Sequence, residues 1–470
     1  MKRVVIAGAG ISGLTAAYYI EKLARERGFD ISLTVLESRE RLGGRIFTHR
    51  SEGFRVEEGC NGFLDSKPST LALCDDLGIS DRIQRSNDSA RKRFVFVGGR
   101  LRKLPESPLE FLLCDLLSPI GKMRVLCERF VPKKRGGKDE SVWEFGCRRI
   151  GREAVEKMLD ALVTGIHAGN TKKISVAAAF PRIVELEEQY GSLLGAMPKV
   201  ARERRETGRT QGSGSVGGPG GTLTAFPDGL HFLIEELVRQ IKGKILVGAP
   251  ARSVVKKAGG GYIVRGEGKD SWEADAVVLS CPAHQATAVV EPLDARLAQV
   301  LASIPYAKAA VVGLGFRRDE IAHPLDGFGY IAPRVSRRDV LGILWDSAIF
   351  TDRSPDGMFL FRAILGGAHR PEIVSLPDET LVRITCEDLR DAVGLRAAPR
   401  YIRIFRWPEA IPQYNVGHPA KLALVEERRK MFPGLFLASN AYRGVGMNDC
   451  TRYSRECAEA VVQFLVTGAR

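Results

Sequence analysis

The first apolar run of the chain, Val4-Val5-Ile6-Ala7, leads without a break into Gly8-Ala9-Gly10-Ile11-Ser12-Gly13. Leu14 to Ile20 follows with the apolar spacing of a helix packed on a sheet, and a second apolar run, Leu33–Leu36, ends at Glu37. This order predicts a strand, a glycine turn, a helix and a second, parallel strand. Gly8 permits the tight turn, Gly10 lets a pyrophosphate approach the backbone, and Gly13 lets helix and strand pack closely. Free N–H groups at the helix start, from Ala9 through Ser12 and Gly13, favour an anion. Glu37, with Ser38 beside it, can accept hydrogen bonds from a ribose, and its charge repels a 2′-phosphate.

A glycine triplet in a chain with 50 glycines is weak alone; its flanking strand, helix and terminal acid give it weight. The next stretch, Glu40-Arg41-Leu42-Gly43-Gly44-Arg45, adds backbone amides and a guanidinium fork for the same pyrophosphate. Phe54–Phe63 reads as a strand entering a loop, with Gly59, Cys60, Asn61 and Gly62 small enough to lie against a flat ring. Pro68–Leu77 predicts a helix stopped by Gly78. Ala90–Pro105 predicts a β-hairpin turning at Gly98-Gly99.

Residues 108–189 read as mainly helical, over Leu109–Leu117, Lys122–Phe130, Val142–Ile150 and Glu153–Val163. A composition shift at Arg202–Gly221 predicts a flexible glycine-rich loop. A helix is expected to open at Thr224–Leu230 and run to Gln240. Strand character returns at Ile245–Val247, Ser253–Val255, Gly260–Val264 and Ala276–Ser280, and again from Val311 to Phe361. Short helices are expected at Leu389–Val393 and Val425–Lys430. Near the end, Gly434–Asn440 leads into Tyr442-Arg443-Gly444-Val445-Gly446-Met447-Asn448-Asp449-Cys450 and a last helix to Leu465. A Gly-x-Gly at that helix start is a second anion site, so both chain ends are expected to meet around one cofactor.

At 470 residues, 44% hydrophobic and 27% charged, the chain has the composition of a globular protein with more than one domain. No apolar run approaches the ~20 residues of a membrane span, and the N-terminal run is not a signal peptide. The expectation is a cytoplasmic protein, with a peripheral position on the inner membrane face left open. Nine cysteines without a CxxC pair argue against zinc or a redox dithiol. The net charge of +14 calls for an anionic partner. No recognition motif points to nucleic acid, which leaves an anionic membrane surface or a polycarboxylate substrate. Arg93 on the basic hairpin is either part of a solvated face or a partner for a substrate carboxylate.

The Gly8–Arg45 run resembles the flavoprotein group that includes amine oxidases and carotenoid desaturases. With Trp407–His418, Ala441–Cys450, Gly165–Asn170 and Gly327–Pro333, the chain is similar over nearly its whole length to the protoporphyrinogen oxidase/coproporphyrinogen III oxidase family. The resemblance implies noncovalent FAD, a porphyrinogen substrate, O2 as acceptor and H2O2 as product. It implies FAD contacts from Gly8 to Gly13, Glu37, Ser38, Gly44, Arg45, Gly59 to Gly62, Val254, Trp407, Val445, Gly446 and Met447. Arg93 becomes the propionate partner, Ile331 and Phe350 sandwich the macrocycle, and Ala168-Gly169 lie near the flavin. The family commonly has proline at Cys60, an aromatic residue at His167 and valine at Met447. No catalytic base is nominated, because the flavin performs the oxidation.

The implied fold is α/β (α+β): a Rossmann-type FAD-binding domain assembled from both chain ends, a β-rich substrate domain and a helical subdomain. The segments are 1–87, 222–300 and 416–470 for the FAD-binding domain, 88–107 and 301–415 for the substrate domain, 108–200 for the helical subdomain and 201–221 for the loop. Protoporphyrinogen IX and coproporphyrinogen III remain alternative substrates, an amine oxidase the alternative reaction, and a homodimer is left open.

Overall fold

The computed structural model describes residues 1–134, 136–206 and 221–468. Lys2–Ala7 is the central strand of a parallel sheet, with Ile31–Leu36 and Ala276–Leu279 on its two sides. Lys244–Leu246 and Leu435–Leu437 complete the sheet outward among the described residues, so the end of the chain joins its beginning. All four residues of Ala276–Leu279 are buried, as expected for a strand covered on both faces.

Ile11–Glu26 packs on this sheet and against the last helix, Met447–Thr467. The close approach is steric. A Cβ on Gly13 would collide with the Gly8 carbonyl oxygen and lie 2.5 Å from Ser280 Oγ, whereas a Cβ on Gly10 would meet nothing within 4 Å. One glycine is required by packing; the other leaves open space.

The second sheet runs in the order Tyr401–Pro412, Tyr306–Arg317, Met358–Gly366, Val340–Leu344, Gly327–Ile331, Lys92–Val97, Arg100–Lys103. Its pairs are antiparallel except Gly327–Ile331 with Lys92–Val97, which sets Gly329 opposite Arg93 and Ile331 opposite Val95. Helices between 108 and 206 form a third body. Glu128 and Arg149, both with no exposed side-chain surface, pair there, and Glu128 also accepts from Leu193 N at 2.9 Å, Leu194 N at 3.0 Å and Ser192 Oγ at 2.7 Å. One carboxylate thus answers two of the open N–H groups of the helix Leu193–Glu206, and Ser192 Oγ answers a third, Gly195 N, at 2.9 Å.

Several expectations are corrected. Leu223–Ala225 is a strand pairing with Phe63–Leu64, and the helix starts only at His231. The expected loop at 201–221 begins as helix, since Leu193–Glu206 is continuous; residues 207–220 lie outside the described residues. The short helices are longer, Asp378–Val393 and His418–Lys430. Tyr401–Pro412, an edge strand, was not expected as a strand.

Gly13→Ala is expected to lower stability by about 2 kcal/mol or more through overpacking, while Gly10→Ala leaves the thermal midpoint nearly unchanged. Thermal unfolding of the two variants side by side checks this.

Candidate active site

The glycine turn is held from the side by the strand that follows it. Ala9 N donates to Glu37 Oε2 at 2.9 Å, and Gly43 N donates to the Ala9 carbonyl at 2.9 Å. Glu37 also accepts from Arg39 N at 3.0 Å and Ser38 Oγ at 3.2 Å through its other oxygen. A carboxylate offers about four lone-pair sites, so capacity remains for a ribose. Gly44, at φ +61°, carries its backbone close to Gly10. Arg45 sends one guanidinium nitrogen to the Glu409 carbonyl, while its Nε is buried without a partner and burial lowers its pKa. Ser12, Ile11 and Cys450 are buried where the first and last helices begin. Gly446 caps the last helix; Val445 is half-buried beside it and Met447 is buried.

The loop after Phe54–Glu57 lines the same hollow. Trp407 Nε1 donates to the Glu58 carbonyl at 2.9 Å, and Arg39 stacks over the Trp407 ring. A Cβ on Gly59 or Gly62 would strike the carbonyl oxygens of Arg45 and Thr224. Cys60 is exposed, and desolvation by the surrounding protein pushes its thiol up to about 12. Asn61 is 9% exposed, and neither its amide oxygen nor its nitrogen has a protein partner. Buried polar groups are paired in folded proteins, so the orphaned Asn61 amide, the orphaned Arg45 Nε and the open space at Gly10 fit a bound dinucleotide. Val254 is fully buried beneath this region, in one core with Leu36 and Leu279.

On the substrate side, Arg93 is half-buried, its guanidinium 6.0 Å from the Phe328 ring, and desolvation lowers its pKa. The other hairpin cations are engaged: Arg91 with Asp88, Lys92 with Asp326, Arg100 and Arg102 with Asp115, and Lys103 with Glu110. Arg93 alone among them makes no ion pair within the described residues. Ile331 is half-buried, and a Cβ on the exposed Gly165 would lie 2.7 Å from its Cδ1, so the missing side chain keeps that approach open.

The structure does not bring Phe350 to an open wall. Its ring is 1% exposed, inside the core, with Arg353 4.9 Å away; half-buried Phe328 is the ring beside Arg93, at 6.0 Å. Ala168 and Gly169 are buried, Ala168 at φ +46° with its carbonyl accepting from Ala368 N at 2.7 Å. Sequence reasoning missed a buried charge cluster behind the 57–62 loop, made by Glu57, Asp346, Arg353 and Arg362. A lone arginine inside Phe359-Leu360-Phe361-Arg362-Ala363-Ile364-Leu365 was its signal.

The family described as flavin containing amine oxidoreductase matches residues 11–462. The chain belongs to that family. Its cofactor is FAD. Among curated relatives, a chloroplastic protoporphyrinogen oxidase of Nicotiana tabacum is 32% identical over 98% of this chain and 85% of its own length. A coproporphyrinogen III oxidase of Bacillus subtilis (strain 168) is 29% identical over 99% of this chain and 98% of its own. A solved structure from Exiguobacterium sp. 255-15, described as a putative protoporphyrinogen oxidase, superposes with a TM-score of 0.82 at 28% identity, covering 98% of this chain and 99% of that one. A putrescine oxidase shares the fold, at a TM-score of 0.70 and 16% identity.

His167 and His418 flank the buried Tyr414 ring, and burial depresses both to about 4. Their folded values lie below the unfolded value near 6.5, so the unfolded chain binds the extra protons and stability falls as pH drops from about 6.5 toward 4. His167→Phe is expected to remove on the order of 2–3 kcal/mol of that acid loss. Urea unfolding at pH 7 and pH 4.5 measures it.

Proposed function

We propose that the chain is an FAD-dependent oxidase of a porphyrinogen in haem biosynthesis, with O2 as acceptor, and that its preferred substrate is the dicarboxylate protoporphyrinogen IX. The names of the relatives support the porphyrinogen class. The single observation that carries the finer choice is that five hairpin cations are already paired and Arg93 is not. One free guanidinium beside Phe328 and Ile331 suits a macrocycle with its propionates on one edge and apolar groups elsewhere. Coproporphyrinogen III, with four carboxylates, would leave charge against apolar walls, at a cost of desolvation.

Bound FAD would supply the two-electron oxidation chemistry for the meso C–H bonds of a porphyrinogen, with O2 as final acceptor and H2O2 as product. The chain's part is placement. The two helix starts and Arg45 would hold the pyrophosphate, noncovalently. Arg93 fixes a propionate, while Ile331 and Phe328 offer an apolar wall and Gly165 leaves room for the ring. Holding the macrocycle in one orientation supplies much of the rate.

The helical body carries a second part of the reading: peripheral contact with an anionic membrane surface. Ile120 and Phe130 are each 83% exposed, with Leu109, Leu113 and Met123 exposed nearby. Lys122, Arg129 and Lys133 in the same segment make no carboxylate pair among the described residues. No helix of the described residues is long and apolar enough to cross a membrane. Exposed apolar residues in one segment with cations that make no carboxylate pair fit the headgroup region of anionic lipid.

Protoporphyrinogen IX should be oxidised with a higher kcat/KM than coproporphyrinogen III in an aerobic fluorescence assay; the reverse order would refute the dicarboxylate assignment. Arg93→Ala should raise KM with FAD content intact, losing about 1.5–3 kcal/mol of binding. Sedimentation with vesicles should increase with phosphatidylglycerol content and fall in Ile120→Ser/Phe130→Ser.

A further inference from the structure

Arg362 lies on the strand Met358–Gly366 and is 1% exposed. Its Nε donates to Asp346 Oδ2 at 2.8 Å, and its Nη1 donates to the carbonyl oxygens of Gly59 at 2.8 Å and Glu57 at 3.3 Å. Asp346 has no exposed surface, and its second oxygen has no partner. Glu57 is fixed independently by Thr48 Oγ1 at 2.9 Å and Leu230 N at 2.9 Å, with Arg353 3.9 Å away. A buried ion pair in an apolar strand is a poor source of stability, because the desolvation of both charges offsets their attraction. The sheet does not need it either, since the strand's backbone is paired with Tyr306–Arg317 and Val340–Leu344.

What the guanidinium does instead is grip the backbone on both sides of Glu58, immediately before Cys60 and Asn61. Those two residues carry the open thiol and the orphaned buried amide of the cofactor recess. Cysteine at position 60 leaves the backbone free to rotate where a proline would fix φ near −65°. We propose that Arg362, oriented by Asp346, is a positioning residue for the flavin: it fixes the Gly59–Gly62 turn from behind, supplying through hydrogen bonds the rigidity that the Cys60 backbone lacks. Groups that contact a ligand hold their geometry only when the residues behind them are themselves locked.

The inference rests on the flavin reading of the site, and binding of FAD by the deflavinated parent chain tests that reading first. The decisive variant is Arg362→Gln with Asp346→Asn, which removes both charges together and leaves neither buried alone. Fluorescence titration with FAD should show affinity reduced about ten-fold, with blurred fine structure in the visible flavin bands and a thermal midpoint of the apoprotein close to the parent's. Adding Cys60→Pro should recover most of the affinity and the fine structure. If the double variant does not fold, Arg362→Lys, which keeps the charge beside Asp346 and loses the fork, carries the same readouts. Parent-like affinity and spectrum in the folded variant would overturn the proposal. So would a loss that tracks thermal stability and is not recovered by Cys60→Pro. A parent chain that fails to bind FAD would instead overturn the flavin reading, and this inference with it.

Discussion

The contact on which the molecule depends is between Gly13 and the Gly8 carbonyl, where no Cβ can fit. It brings the start of the helix Ile11–Glu26 against the end of the strand Lys2–Ala7, so that the helix amides and the turn amides point into one hollow. Because that strand is central, it needs a neighbour on each side. Ile31–Leu36 supplies one from nearby, and Ala276–Leu279 supplies the other from the middle of the chain. Leu435–Leu437 then pairs with Ala276–Leu279 and delivers the helix Met447–Thr467 onto Ile11–Glu26. The meeting of two helix starts near Ser12 and Cys450 is thus a consequence of sheet order.

The two sides of the site treat charge differently. Around the dinucleotide turn, polar atoms are orphaned: Arg45 Nε and both amide atoms of Asn61. Such groups cost free energy unless something completes them, which is why they report a ligand. On the substrate side, the hairpin's other cations are paired with carboxylates outside its strands, and Arg93 makes no ion pair among the described residues. A half-buried arginine stays charged, because a guanidinium does not lose its proton in proteins. It therefore keeps a standing demand for an anion in a largely apolar setting.

The dinucleotide half was legible because its spacing encodes sterics that hold in any context: glycine, turn, helix start and terminal acid act within forty residues. The strand Tyr401–Pro412 was not, since Arg403, Arg406, Pro408 and Glu409 disguise it. Those are residues that protect a sheet edge from pairing with another chain. Leu223–Ala225 was read as the approach to a helix because its strand character comes from Phe63–Leu64, far away in sequence. Phe350 was assigned an open wall on resemblance alone, and the structure packs its ring into the core beneath Arg353. Arg362 and Asp346 each look anomalous in the sequence, but only the fold makes them a pair.

The helical body shows how one buried polar residue can set the chemistry of a surface. Glu128 turns fully inward to pair with Arg149 and to cap the helix that begins at Leu193. Phe130, two residues later, is left 83% exposed. Sequence periodicity would have put the phenylalanine inside and the glutamate outside. The inversion has a cause: two backbone segments, at Val131–Pro132 and Gly191–Leu194, need their carbonyl and N–H groups answered at one point, and an ion pair with several hydrogen bonds answers them where an aromatic ring cannot. In the same segment Leu109, Leu113, Ile120, Met123 and Phe130 face outward, while Phe111, Leu116 and Leu117 turn into the core. A patch of this kind persists on a folded surface when something covers it.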